Sequence, residues 1–454
     1  MDATSKKLIN FARSLRFKDL PDKAVIAAKQ RIISSLGVAL GAYDAPPIKI
    51  ARSLAQPVAA GPASHVWGTD AMVAPDVAAF INSAMVRVFD MSDTRVMAAV
   101  SHPADAFPAI LAVAEAQRVS GRELLLATTI AYEVQCRFVD VVPYNHKGWD
   151  QTTVVALGSA LGCGRLLGLN EEQLYHALSI SIVSNLALNQ TRTGTLSMWK
   201  GMAGAAGARA GVFAAYLASK GMTGPQDVFE GKFGLWKQMM GGQTFSLPIP
   251  DRFENHTFAV QQTMIKSFPI RFHCHLPVFT AFELRKKIKA DEIESLKIES
   301  IRQAFGRWMD LPEIWKPETR ETADHSLPCT VAMAILDGEI TPETFERQRY
   351  KDKDVLDFMQ RITIELPDEF ADPAPEIRCC RMTATTRKNK QITVEQRRTT
   401  EDDERGMTKA EIEGKFNRLT KNILKVNARK KILDTIWNLD KQKSIDALIK
   451  AMVV

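Results

Sequence analysis

A chain of 454 residues is longer than one small core accommodates and points to two domains. Hydrophobic content of 46% and charged content of 24% are those of an ordinary globular protein, not of a disordered one. The formal charge of +7 is a mild excess that forms no long basic block, which argues against nucleic-acid binding and fits a pocket for an anionic small molecule.

The N-terminus "MDATSKKLINFARSL" lacks the apolar run of a signal peptide, and no stretch of eighteen apolar residues follows, so no membrane-spanning helix and no membrane partner is predicted. Cysteines stand at Cys136, Cys163, Cys274, Cys329, Cys379 and Cys380 with no C-x-x-C pair, which gives a zinc ribbon or iron–sulfur run no support. Such sparse cysteines read as free thiols in a reducing compartment, so the expected location is cytoplasmic.

The first part reads as helix after helix. "AVIAAKQRIISSLGVAL" (24–40) has apolar residues at helical recurrence. Next comes "FDMSDTRVMAAVSHPADAFPAIL" (89–111), where Asp90, Asp93, Thr94 and His102 fall in a loop-like segment between two apolar helices. Pro103 biases His102 away from helical geometry. These polar residues read either as plain helix caps or as a carboxylate paired with an imidazole for proton transfer. "SGRELLLATTIAYEVQCRF" and "NEEQLYHALSISIV" each begin with a capping box, Ser120 with Glu123 and Asn170 with Gln173.

"GSALGCGRLLG" and "KGMAGAAGARAGVFAAYLASKG" are rich in Gly and Ala. Glycine inside a helix costs about 1 kcal/mol relative to alanine, so close helix packing must offset it. "GCGRLLG" misses the G-x-G-x-x-G spacing by one position and reads as packing rather than as a phosphate loop. "TRTGTLSMWKG" (191–201) sets Arg192, Thr193, Ser197 and Lys200 before the second of these helices. Lys200 is either a solvated lysine or part of a carboxylate-binding corner at a helix start.

Residues 1–265 carry 44 charged side chains and the shorter remainder 67, so surface increases in the second part and a domain junction falls near 266. There "FPIRFHCHLP" (268–277) holds His273 and His275, which would share a face in a strand. Two ligands do not complete a zinc site and spacing marks no others, so no metal is expected. "ETADHSLPC" (321–329) adds His325 before a helical run, while "RITIEL" (361–366) and "IRCCRMTATTRKNKQITVEQR" (377–397) alternate like strands. From Thr408 helical patterning returns, with Ile412, Phe416, Leu419 and Ile423 on one face. The expected fold is mainly α: a helical domain over 1–265, an inserted α+β lid over 266–400, and helices from 401–454 that pack back onto the first domain.

Five segments in order, "FDMSDT" with "SHPADAFPAILAVAEA", "LSMWKGMAGAAGARAGVFAA", "GMTGPQDVFEGKFGLW", "KSFPIRFH" and "RETADHSLP", resemble the MmgE/PrpD family over nearly the whole chain. The resemblance implies a homodimeric, cofactor-free enzyme with its active site in the cleft between helical domain and lid. Asp90, Thr94, His102, Lys200, Lys266, His273 and His325 match the family's motifs. Three positions depart from them. Gln151 in "GWDQTT" stands where many members have histidine, with His146 a nearby stand-in; Cys329 replaces a tyrosine of some members; and Arg87 stands where a histidine is usual.

The implied activity is a lyase acting on a di- or tricarboxylate, with dehydration of a 2-methylcitrate-like 2-hydroxy acid as the leading reaction. Lys200, Lys266 and Arg271 would hold carboxylates and stabilise charge developing toward an enolate, with Gln151 and Thr94 also on the substrate. His102 paired with Asp90 would be the general base or acid, and His273 or His325 would handle the leaving hydroxide. Decarboxylation of a cis-aconitate type substrate, epimerisation of a dicarboxylate, and a non-catalytic carboxylate-binding role are the alternatives.

Overall fold

The computed structural model describes residues 1–305, 311–371 and 377–453. Its larger part is a helical body. The capping boxes at Ser120, Asn170 and Thr408 all form, each side chain accepting from the backbone N–H three residues on. The helices Thr152–Leu166 and Trp199–Ser219 form the central pair, flanked by Pro75–Arg87 and Gly121–Val141. Glycine sets the approach of that pair. A Cβ on Gly207 would lie 2.4 Å from the Thr152 carbonyl oxygen, and one on Gly211 would lie 2.4 Å from Ser159 Cβ.

Ile412 and Phe416 of the Lys409–Thr420 helix join the same apolar core as Leu36 and Leu40, so the C-terminal segment completes the body. The Asp22–Gly41 helix is long and apolar enough to cross a membrane by length and composition alone. Most of it is instead buried in this core, where Arg31 binds the Thr263 side chain and carbonyl.

The lid has its own core around a four-stranded sheet of spatial order Ile362–Glu365, Ile293–Ser300, Ile377–Thr386, Gln391–Thr399. The first pair is parallel and the other two antiparallel, with Ile298 opposite Met382 and Met382 opposite Val394. These residues and Leu296 point to one face, as period-two alternation requires, and that face packs under the helix His275–Arg285, against which Leu327–Asp337 packs in turn.

Two local expectations change. The segment read as a loop over 89–102 contains the strands Asp93–Val96 and Val100–Ser101, and Asp93 and Thr94 pair with Ile265 and Met264. This small sheet fastens the acidic segment to the stretch that leads into the lid. His273 and His275 lie in no strand: Phe272–Cys274 is a 3-10 turn and His275 opens the next helix. Their side chains therefore do not share a strand face.

Candidate active site

A cavity of about 250 Å³ lies where the body meets the lid. The body supplies Arg87, Asp90, His102, Gln151 and Arg192, and the lid side supplies Lys266, Arg271, His273 and His325. Asp90 follows the C-terminal end of the Pro75–Arg87 helix and adopts φ 50°, a left-handed conformation that costs a non-glycine residue roughly 1 kcal/mol. That turn aims its carboxylate into a nest of cations. Oδ1 accepts from Arg87 Nη1 at 2.5 Å and from Lys266 Nζ at 2.6 Å, and Oδ2 lies 3.3 Å from Lys200 Nζ and 3.7 Å from His325 Nε2. Burial alone would raise the Asp90 pKa, but Arg87, Lys200 and Lys266 hold it well below the usual carboxylate range.

Lys200 is not among the cavity-lining residues. It lies beneath them, with Nζ donating to Asp324 at 2.8 and 3.1 Å, so the expected grip on a substrate carboxylate is already taken by Asp90 and Asp324. Asp324 also accepts from His325 Nδ1. Burial and the Lys200 charge push His325 down to about 4, so the ring is neutral at neutral pH and its orientation is set by Asp324. Burial likewise lowers Lys266 to about 8 against the pull of Asp90.

His102 is not hydrogen-bonded to Asp90, contrary to the expected pair. Its Nδ1 lies 3.1 Å from the Asp93 carbonyl oxygen, which can only accept, so Nδ1 carries the proton and Nε2 is left unprotonated. Burial, then Arg87 and Lys266, depress the imidazolium well below its ordinary range. Asp93 is thereby a backbone partner, its carboxylate being spent on Ala104 N–H and Thr263 Oγ1.

Gln151 sits behind His102. Its Oε1 accepts from His102 N–H at 2.6 Å and Ser101 Oγ at 2.9 Å, while Nε2 donates to Asp105 Oδ2 at 3.0 Å. Burial raises Asp105 to about 7 although Arg87 opposes it. Gly204 makes room for this carboxylate: a Cβ there would lie 2.1 Å from Asp105 Oδ2. The exposed His146 is not on the cavity and supplies no ring in place of Gln151, and Cys329 is buried in the lid core.

The remaining expected residues separate. Arg271 lines the cavity with part of its guanidinium held by the Gln303 and Ala304 carbonyls. His273 lines it too, its Nδ1 without a partner among the described residues, and burial with Arg271 keeps the ring neutral. His275 is buried in the lid, stacked on Phe268 at 5.6 Å. Thr94 lies off this cavity, donating to the Ser101 carbonyl and facing a neighbouring one.

The sequence reading did not assign Asp105, Asp150 or Asp324 to the site. Asp150 binds Arg192 Nε at 2.9 Å and fixes it at the cavity wall. Asp105 and Asp324 each stand within three residues of a predicted histidine, which is the one signal that could have found them. Asp90, Asp324 and His325 have the composition of a metal site, with ligand atoms within 4.8 Å of one another. The Lys200 ammonium already bridges the two carboxylates and acts as their cation. Across the site Arg87, Lys200, Lys266, Arg192 and Arg271 outnumber Asp90, Asp150 and Asp324 by two, so a polycarboxylate would meet compensating charge.

Comparison with known proteins gives a consistent result. Residues 6–248 match the MmgE/PrpD N-terminal domain and residues 268–441 the MmgE/PrpD C-terminal domain. The cis-aconitate decarboxylase of Mus musculus is 25% identical over 387 residues, covering 81% of this chain and 77% of that protein. The Homo sapiens cis-aconitate decarboxylase is 26% identical, with 82% and 78% covered. The 2-methylcitrate dehydratase of Escherichia coli K12 is 27% identical over 368 residues, with 76% and 72% covered.

Proposed function

Because this chain belongs to the MmgE/PrpD family, we propose that it is a cofactor-independent lyase that dehydrates a 2-methylcitrate-like 2-hydroxy acid in the cavity between body and lid. One observation carries the reading. His102 presents an unprotonated Nε2, fixed by the Asp93 carbonyl, in a cavity whose cations exceed its carboxylates.

In the proposed reaction Arg271, Arg192 and Arg87 hold substrate carboxylates through charge-assisted hydrogen bonds. Their charge also stabilises the enolate-like electron density that builds up as a proton leaves the adjacent carbon. His102 Nε2 takes that proton, and the C–H electron pair becomes the new carbon–carbon double bond as the C–O bond breaks. The departing hydroxide takes a proton and leaves as water. Lys266 is the best-placed donor, since Asp90 and the Ile270 carbonyl occupy two of its three N–H groups and its depressed pKa favours release. His273 and His325, both neutral, serve as hydrogen-bonding walls. Protons then return to Lys266 and leave His102 through solvent.

A second reading has its own support. Val100, Phe272 and Leu311 form an apolar part of the same wall, where a carboxylate would be driven toward neutral carbon dioxide. That favours decarboxylation of an unsaturated tricarboxylate, the reaction named for the mammalian relatives. Purified protein incubated separately with citrate, 2-methylcitrate, cis-aconitate and iminodisuccinate, followed by NMR, decides between them. An alkene from 2-methylcitrate supports the dehydratase, and carbon dioxide from cis-aconitate supports the decarboxylase. Binding without product from any of the four would overturn both.

A further inference from the structure

Lys415 lies on the Lys409–Thr420 helix of the C-terminal segment and is buried. Its ammonium donates to Ser34 Oγ at 2.9 Å, to the Met91 carbonyl at 2.8 Å and to the Lys266 carbonyl at 2.8 Å. All three acceptors are uncharged oxygens, and they come from three distant parts of the chain. A buried ammonium with no carboxylate in contact among the described residues is costly, and burial pushes this amine down to about 7 although the Asp93 charge opposes it. Lys415 does not line the cavity, so it does not pay that cost by touching substrate.

Two of the three partners, Met91 and Lys266, lead to the site. Met91 follows Asp90, whose left-handed backbone must be held in place, and Lys266 is the residue that meets the Asp90 carboxylate. Arg320 of the lid donates to the Val88 carbonyl at 2.6 Å. The turn carrying Asp90 is therefore clamped at Val88 by the lid and at Met91 by the C-terminal helix.

We propose that Lys415 is a positioning residue that fixes Asp90 and Lys266 relative to each other, making the C-terminal helix a working part of the site. The claim about turnover rests on the lyase reading; the claim about the backbone does not. Lys29 provides the control. It ties the Asp22–Gly41 helix to the C-terminal segment through the Trp437 carbonyl and Asp440, away from the Asp90 turn.

Lys415→Met and Lys29→Met are compared by thermal melting, kinetics and amide hydrogen exchange. Lys415→Met is expected to lower kcat roughly 10- to 100-fold with little change in KM, because the reacting groups shift while Arg192 and Arg271, which bind carboxylate and do not touch Asp90, stay. It should also speed exchange over residues 89–94, whereas Lys29→Met should do neither at a comparable loss of Tm. Unchanged exchange at 89–94 in Lys415→Met overturns the proposal, as does an equal effect from Lys29→Met. If Lys415→Met does not fold, Lys415→Gln, which keeps an uncharged amide donor group, takes its place with the same readouts. A wild-type protein that turns over none of the four acids defeats the lyase reading, and the exchange comparison still decides the role of Lys415.

Discussion

Lys266 Nζ lies 2.6 Å from Asp90 Oδ1, so a residue at the edge of the lid shares its charge with one on the body. The pair joins the two parts of the molecule at the cavity. Burial brings the Lys266 pKa down to about 8, and the cation is lost as pH rises through that value. In the free enzyme kcat/KM should therefore fall above about pH 8. The limb should lie higher in kcat, because a bound polyanion favours the charged amine. Initial rates from pH 6 to 10 check this, and Lys266→Met should remove the limb together with most of the activity.

Asp105 affects stability in a predictable direction. Its folded pKa is raised to about 7, so the folded protein keeps a proton that the unfolded chain releases near pH 4. The stability from this group is complete below about pH 4 and is lost as pH rises through 7. Asp105→Asn removes the dependence. The Tm of wild type relative to Asp105→Asn should fall progressively between pH 4 and 8, and thermal melts across that range measure it.

Gln151 satisfies three buried polar partners at once: the His102 N–H, the Ser101 hydroxyl and the Asp105 carboxyl. Gln151→Ala leaves them without it and should cost roughly 1–3 kcal/mol in urea unfolding. Turnover should fall as well, because the backbone that places His102 loses its anchor.

Gly204→Ala would bring a methyl carbon to 2.1 Å from Asp105 Oδ2, so the carboxylate or the helix must move. Overpacking of this kind costs roughly 1–3 kcal/mol. A matched Gly168→Ala is no substitute, since Gly168 has positive φ and open space around it; Ala206→Gly, at a half-buried position of the same helix, is the better control for intrinsic helix propensity.

What could be read from the sequence was mostly local. Ser120 with Glu123 and Asn170 with Gln173 announce helix starts because each cap closes within one turn. Ile412 and Phe416 show a buried face because helical periodicity needs no knowledge of the partner. The Gly- and Ala-rich helices imply close packing, and Gly207 and Gly211 show it. Of the site, His102, His273, His325, Lys266, Arg271, Gln151 and Asp90 were chosen and do reach one cavity.

The remainder depended on contacts between distant segments. Lys200 looked like a substrate ligand because nothing near it in sequence shows that Asp324, 124 residues away, occupies its ammonium. Thr94 matched a motif, but its pairing with Met264 turns it to the adjoining cavity. The expected Asp90–His102 pair failed because the Asp90 carboxylate is drawn to Arg87 and Lys266, leaving a backbone carbonyl to orient the imidazole.

The central claim is that His102 Nε2 removes a proton from a tricarboxylate held by the surrounding arginines. It is tested most directly by the rate of alkene formation from 2-methylcitrate in wild type and His102→Asn, with ligand binding measured alongside. The account predicts that wild type forms the alkene, while the variant folds, still binds the acid, and is slower by roughly 10²–10⁴-fold. Turnover in His102→Asn at the wild-type rate would contradict it.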